Sequence, residues 1–489
     1  MDAVAALKLT KRMHERLMRR RPVLQRYEDY YLGKQPLAFA TREWKKANAQ
    51  RYLGFSDNWC RPVVDAVAER IRHSGIKSED RELQRLMWDW WQRNDMESQS
   101  SNGFLATLYG SRSYVSVWGD TDGQPVLQWE HAGQVEIEYE PGNFRRRKAA
   151  LKVWVDDDYE YATLYTKETI WRWQRKREES LVAGLSQVQQ LRSSSSQADW
   201  LPLDARHGKW TDRNILGEVP FVEIPNRPLL FGDPVSEIAP VAPLQDAINL
   251  LWAYLFLAAD YASMPARVVL GQGPPRIPLF NERGEPMGHK VVDIKDLQEK
   301  RLLYLENPNA KIGAWEAAKL DVFTDVIEQA VGHIAAQTRT PPTYLITRTG
   351  MSNVSSEGLK ASEIGLVKKV LEFQTFATPA IREIYRLAAI VNGEDGLSDA
   401  VLDTTVSWMN PEIRSEAQLA DALMKKRSMG YPLEYLLELD GLSPKDVDRV
   451  LNMARTEQDD LPFSAVKMEV PGDTERGASI PAAPEGDRG

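Results

Sequence analysis

Apolar positions recur at the helical period over most of this chain, and the longest such run sets its plan. Phe323, Ile327, Ala330 and Ile334 repeat every three or four residues until Arg339, Thr340, Pro341 and Pro342 stop the helix. A polar stretch follows, Thr343 to Asn353. A second helix opens around Ser355 with Glu357 in its first turn and carries Leu359, Ile364, Val367, Val370, Leu371, Ile381, Ile384 and Leu387 before Asn392 and Gly393 end it. At about 1.5 Å per residue this rod is about 55 Å long. Pro379 is placed to kink it, and a helix of that length needs neighbours to cover its apolar face.

The chain leads into this pair through helices first. Residues 5–32 have the helical period. Asn58 to Asp65 opens a second helix with Val63, Val64, Val67 and Ile71 on one face, and Leu83, Leu86, Met87, Trp90 and Trp91 mark a third. The Trp pair is expected in a core, where aromatics at helical spacing fill helix interfaces. From Ser113 to Trp173 the period drops to two: Val135, Ile137 and Tyr139 alternate with Glu136 and Glu138, and Leu151, Val153 and Val155 share a side. Turns at Asp122-Gly123, Pro141-Gly142-Asn143 and Asp156 to Asp158 make an antiparallel meander the economical reading, with the acidic triplet a solvated turn. Residues 179–199 are a low-complexity loop. An apolar helix is then expected over about Ser236 to Ser263, and strand and turn signals fill most of the chain between Pro265 and Leu320. After the rod come a short strand at Thr404 to Trp408, a helix capped by Ser415 with Gln418, and another opened by Ser443, Pro444 and Asp446. From about Gln458 the composition predicts a disordered tail.

Composition narrows the class. The 489 residues, 43% apolar and 27% charged, have room for two to four core-bearing units. A single cysteine, Cys60, excludes an intramolecular disulfide. The opening turns, broken by Lys11, Arg12, His14, Glu15 and Arg16, do not read as a signal peptide. The most apolar run, Leu250 to Ala259, is about half a membrane span, so a soluble protein is expected. A net charge of -8 argues against tight phosphate-neutralising contact over the whole surface. The basic face of the first helix, Lys8 through Arg21, reads as a solvated face, with a phosphate-contact patch as the alternative.

Catalytic constellations are missing from the sequence. The six histidines, at 14, 73, 131, 207, 289 and 333, lack the spacing of a zinc helix. Gly33-Lys34 and Gly208-Lys209 are followed by Gln35 and Trp210, so no phosphate loop forms, and Gly350-Met-Ser-Asn-Val does not complete a nucleophile elbow. Glu43-Trp-Lys45 and Asp293-Ile-Lys295 match the acid-x-Lys pairs of some metal-dependent nucleases, but lack an identifiable carboxylate partner. No enzyme activity, cofactor or metal is expected. Such a nuclease and a non-channel scaffold of long helices are kept as alternative readings.

The order of these parts resembles the portal proteins of long-tailed double-stranded DNA bacteriophages over nearly the whole chain. The marks are Tyr30-Tyr31-Leu-Gly33, Asn58 to Asp65, Leu108-Tyr109-Gly110 and Leu244-Gln245-Asp246-Ala247. Thr340-Pro341-Pro342 with Asn353-x-Ser355-x-Glu357-Gly358-Leu359, and Val406-Ser-Trp408 with Pro411, complete them. Gly358 departs from the pattern, standing where a small helix former such as Ala is expected.

The resemblance implies an α+β, mainly helical fold of wing, stem, clip and crown, with a long kinked helix and a small antiparallel sheet in the wing. The wing would be residues 1–235 with the rod 355–391, and the stem helices 236–265 and 317–338. The clip would be 266–316, the tunnel loop 339–354, the crown 392–457 and the disordered tail 458–489. It further implies a homo-oligomeric ring, usually a dodecamer, at one capsid vertex of the virion, assembled in the host cytoplasm without a membrane. Double-stranded DNA would pass through it non-specifically. Its partners would be the major capsid protein, the terminase large subunit and head-tail connector or adaptor proteins. Thr347, Arg348, Ser352 and Asn353 are the candidates for touching DNA, and Glu282, Arg283, His289 and Lys290 for docking partners at the clip. An acidic balance suits a conduit, since walls that bound phosphates strongly would hold the duplex and oppose sliding.

Overall fold

In the computed structural model the described residues are 1–36, 55–177, 198–263, 267–270, 276–280, 283, 286–291, 302–305, 309, 319–345, 356–394, 396–412 and 416–460. Helix α1 spans Ala3–Leu32. Asp2 caps it by accepting from the Ala5 amide at 2.8 Å, and Gly33 ends it in the left-handed region at φ 70°, a conformation open to a residue without Cβ. Its inner stripe, Ala6, Leu9, Met13 and Leu17, packs on Leu151, Val153, Ala162 and Leu164. Three further helices follow at Cys60–Ala68 (α2), Arg81–Arg93 (α3) and Met96–Gly110 (α4). Trp90 and Trp91 of α3 are 1% and 0% exposed, which places them in the core as expected.

The strand region differs from a single meander. β4 (Val135–Glu140), β5 (Asn143–Val155), β6 (Tyr159–Thr166) and β7 (Thr169–Lys176) do run antiparallel in order, and β8 (Leu201–Pro202) and β9 (Thr211–Arg213) both pair with β7. But the hairpin of β2 (Arg112–Gly119) and β3 (Pro125–Glu130) leaves that sheet and takes β10 (Phe221–Pro225) as its outer partner. The long connection between Lys176 and Phe221 therefore returns a strand to a second sheet, a non-local pairing that periodicity does not reveal. At the expected acidic turn, the Asp156 carboxylate accepts from the Asp158 and Tyr159 amides and from the Tyr161 hydroxyl at 2.6 Å. Burial pulls that carboxyl up, and these donors more than reverse it, holding it below its ordinary range.

α5 (Ala242–Ser263) packs along α6 (Asp321–Thr338). Between them lie two small ladders. β11 (Arg267–Leu270) pairs in parallel with β14 (Leu302–Leu305), and β12 (Arg276–Phe280) pairs antiparallel with β13 (Pro286–Val291). After α6 a helical turn, α7 (Pro342–Leu345), replaces the start of the expected irregular stretch, with Leu345 only 3% exposed. α8 (Ser356–Asn392) then runs as one helix through Pro379. Its buried residues Leu366, Val370, Phe373, Ile381, Ile384 and Tyr385 are the spine of the largest core cluster. β15 (Thr405–Trp408) pairs antiparallel with β1 (His73–Lys77), joining the chain beyond the rod to the same core.

The chain divides into two compact units, residues 1–414 and 415–489. In the second, α10 (Glu416–Ser428), α11 (Leu433–Leu439) and α12 (Pro444–Asp460) follow α9 (Leu397–Ala400) of the first. Ser443 donates to Asp446 at 2.6 Å and accepts from its amide, as the sequence predicts for the start of α12. Ser415, the expected cap of α10, lies outside the described residues. The result is a mixed, mainly helical fold with small sheets, most of them antiparallel.

Candidate functional site

Two polar clusters hold the roots of the α5–α6 pair. Asn58 caps α2 by accepting from the Cys60 amide at 3.0 Å while its Nδ2 donates to the Tyr31 carbonyl at 2.9 Å. The Tyr31 hydroxyl donates to Asp65 at 2.8 Å, and its ring stacks on Tyr109 at 5.3 Å. Tyr30 donates to Asp246 at 2.7 Å. Gln245 receives the Trp59 amide at 2.7 Å and donates to the Asp57 carbonyl at 2.5 Å. Ser236 donates to the Tyr109 carbonyl at 2.6 Å, and the Glu237 amide to that of Leu108 at 2.9 Å. Marks scattered from Tyr30 to Ala247 in the sequence thus meet as one network that fixes where α5 leaves the body. Burial raises the Asp246 carboxyl above its ordinary range, against the Tyr30 hydrogen bond and the nearby Arg26.

The second cluster grips the end of α6. Arg339 closes that helix in the left-handed region at φ 55°, and a Cβ on Gly365 of α8 would lie 3.3 Å from the Arg339 Cβ. Lys369 donates to the Thr338 carbonyl at 3.0 Å and lies 2.5 Å from Glu237. Glu237 is also 3.5 Å from Arg227, and Arg339 is 3.4 Å from Glu372. Burial alone would raise the Glu237 carboxyl, but Lys369 and Arg227 outweigh it and hold the group below its ordinary range, ionised. Beyond α6, Tyr344 donates to Glu69 at 2.6 Å and accepts from Arg70, which also reaches Glu363 at 3.2 Å and the Pro411 carbonyl at 3.3 Å. Both flanks of the stretch between α7 and α8 are therefore anchored.

The proposed contact residues of that stretch, Thr347, Arg348, Ser352 and Asn353, lie outside the described residues, as does Glu282. Arg283 is exposed in the β12–β13 connection, and the backbones of His289 and Lys290 pair with Pro278 and Ile277. The hairpin therefore carries Arg283 near its tip and the other two along one strand. Glu43, Lys45, Asp293 and Lys295 also fall outside the described residues.

The basic face of α1 is divided: Lys8, Lys11, Arg12 and Arg19 are exposed, as expected of a solvated face, while Arg16 and Arg20 are half-buried against the sheet. Arg12 reaches Glu138 at 2.6 Å, Arg16 pairs with Glu138, and Arg20 pairs with Glu136. Glu136 is only 4% exposed beneath them, and burial raises its carboxyl even against Arg20 and Arg16. A sequence signal existed: glutamates alternating along β4 match arginines four residues apart on α1, but the pairing needs knowledge of which elements meet.

The arrangement is a scaffold of locked helix roots, with the polar chain between them held at its ends. Residues 11–459 match the family model "Phage portal protein, SPP1 Gp6-like". The chain belongs to that family of portal proteins. It is 28% identical to the portal protein of Mycobacterium phage L5 over 382 residues, 75% of this chain and 71% of the relative. To the portal protein of Mycobacterium phage D29 it is 28% identical over 383 residues, with the same coverage. A chain from the neck of a native GTA particle computed with C12 symmetry is 11% identical, with a TM-score of 0.37 over 78% of this chain and 90% of that one. At that score the likeness decides nothing. Portal proteins are structural components of the virion vertex. Among the described residues no helix is long and apolar enough to cross a membrane.

Proposed function

We propose that this portal chain assembles into a closed ring of identical copies that serves as the channel for double-stranded DNA and as the docking platform between capsid and tail. Its α5–α6 pair forms the stem, the β11–β14 region the clip, and residues 339–354 the tunnel loop. The observation that carries this reading is the family match across residues 11–459, joined to what a lone copy leaves uncovered. Val322 and Val326, one turn apart on α6, are 57% and 43% exposed, and Tyr254 of α5 is 40% exposed. Helices rooted this firmly, with apolar faces in water, are suited to stand beside copies of themselves, and identical copies meeting head to tail close into a ring. The terminase large subunit and connector proteins are the proposed occupants of the clip, through Glu282, Arg283, His289 and Lys290, and the major capsid protein that of the outer body. Sedimentation velocity on the purified chain tests assembly: a single large species is expected, and monomer at every attainable concentration would remove the reading.

A further inference from the structure

The β4–β5 hairpin runs past its own sheet. β6 begins to pair with β5 only at Ala149, so residues 143–148 are accompanied by β4 alone, and up to about 20 Å of strand overhangs the ladder. Gly142 turns the chain at the tip, and the Arg145 amide donates to the Asn143 side chain at 3.1 Å. Arg147 then anchors the overhang. It is buried, donates to the Phe221 carbonyl at 3.2 Å and pairs with Glu383 of α8.

The other cations of the tip are left in water. Arg145, Arg146 and Lys148 are exposed, and among the described residues none of the three makes an ion pair. Arginines elsewhere against this sheet are neutralised: Arg16 by Glu138, Arg20 by Glu136 and Arg175 by Glu160. The neighbouring carboxylates are already engaged, since Glu383 serves Arg147 and Arg386 while Glu138 serves Arg12 and Arg16. Glu140, half-buried beside the turn, can offset one charge of the three. A protein of net charge -8 thus concentrates three cations within four positions at the end of an overhanging hairpin, where they repel one another.

We propose that Arg145, Arg146 and Lys148 form a contact for the phosphate backbone of double-stranded DNA, carried by the sheet rather than by the α5–α6 pair. It rests on the portal reading, in which this chain meets a duplex. A chain of net charge -8 repels a polyanion as a whole, so contact is confined to places where cations stand clear of the acidic surface. At physiological salt, charges more than about 8 Å away are screened, and an overhang longer than that presents its cations almost alone. Guanidinium forks meet phosphate oxygens two at a time, and such contacts position a duplex without reading its sequence. Because the tip lies on none of α5, α6 and the 339–354 stretch, a duplex held here leaves the proposed channel free of strong phosphate contacts.

Fluorescence anisotropy of a labelled duplex, titrated with the full-length chain between about 50 and about 200 mM salt, tests this. The parent is compared with the variant carrying Arg145→Gln, Arg146→Gln and Lys148→Gln. All three side chains are already in water, so circular dichroism and urea unfolding of the two should match. Each neutralised phosphate contributes about 0.9 to the slope of log affinity against log salt. The parent's slope should therefore be steeper by about 2.7, and across that range its affinity should fall about fortyfold more than the variant's. Two duplexes of unrelated sequence should bind the parent alike. Equal slopes in parent and variant would overturn the proposal, as would a parent that fails to bind duplex at the lowest salt. Polyglutamate displacing the duplex as well as unlabelled DNA of the same charge would also overturn it, giving the tip to an acidic protein surface. Sedimentation of the same samples keeps the two readings apart: a parent without rings removes the portal reading even where the slopes differ, whereas rings with equal slopes remove only the contact at the tip.

Discussion

Lys369, on the core face of the longest helix, sets its Nζ 2.5 Å from the Glu237 carboxylate with both side chains almost wholly out of water. The pair joins α8 to the segment that enters α5, and the Thr338 carbonyl adds the end of α6. The two helices of the proposed stem and the long helix α8 are thus tied at one point.

Lys369→Met should therefore be costly. It strands Glu237 as a buried carboxylate with only Arg227 and Asn226 near it, and a loss of about 3–5 kcal/mol is expected. Adding Glu237→Leu should recover a large part of that loss, since an apolar pair removes the stranded charge. Urea unfolding of the parent, the single and the double variant checks both statements. A single variant as stable as the parent would show that the pair is not buried in solution.

His73 links β1 to α8 and β15. A carbonyl can only accept, so its Nδ1 donates to the Ser407 carbonyl at 3.0 Å, and Nε2 accepts from the Tyr385 hydroxyl at 3.0 Å. Burial among Trp88, Trp91 and Trp408 lowers its pKa to about 4, against the Ser407 bond. The unfolded imidazole takes up its proton near 6.5 and the folded one only near 4. The unfolded state therefore binds more protons in that window, and stability present above pH 6.5 is lost as the pH falls towards 4, by about 3 kcal/mol. The difference between parent and His73→Phe unfolding free energies from pH 7 to 4.5 should show this slope. A flat difference would contradict it.

Gly103 lies under the Trp129 ring: a Cβ there would fall 1.9 Å from Cε2. The indole is fixed by its donation to Ser113 at 2.8 Å and by an edge contact with Phe104 at 5.2 Å, so it cannot swing aside. Gly103→Ala should destabilise by about 1–3 kcal/mol through overpacking, which outweighs the gain of up to about 1 kcal/mol for Ala in a helix. A lowered urea midpoint with an unchanged slope is the expected result.

The rod and the α5–α6 pair were legible because each carries its period over many residues, whereas the stretch between them was legible only as strand and turn character, not as paired ladders. The faces were less so. Ile364 and Leu371, counted on the apolar face of the rod, are 54% and 46% exposed, while Lys369 sits inside; a stripe that another copy covers looks the same in sequence as one that the chain covers itself. α4 passed unnoticed because Ser98, Ser100, Ser101, Asn102 and Gly103 are weak helix formers, and it is packing of Met96, Phe104 and Leu108 that makes them helical. β1 is only five residues long, and its pairing with β15 spans more than three hundred residues, beyond the reach of any local pattern. The contact residues named for the channel depended on the family resemblance rather than on periodicity.

Arg348→Ala tests the proposed tunnel loop. Rings should form as in the parent while the amount of DNA packaged or retained in particles changes, because a residue between two anchored flanks can be altered without loosening them. Loss of the ring would place Arg348 between subunits instead.

Electron microscopy of the purified full-length chain tests the central claim most directly. Class averages should show a closed ring with a through-hole wider than about 20 Å, enough to pass a duplex. Monomers alone at assembly concentrations, or assemblies without an axial opening, would contradict it.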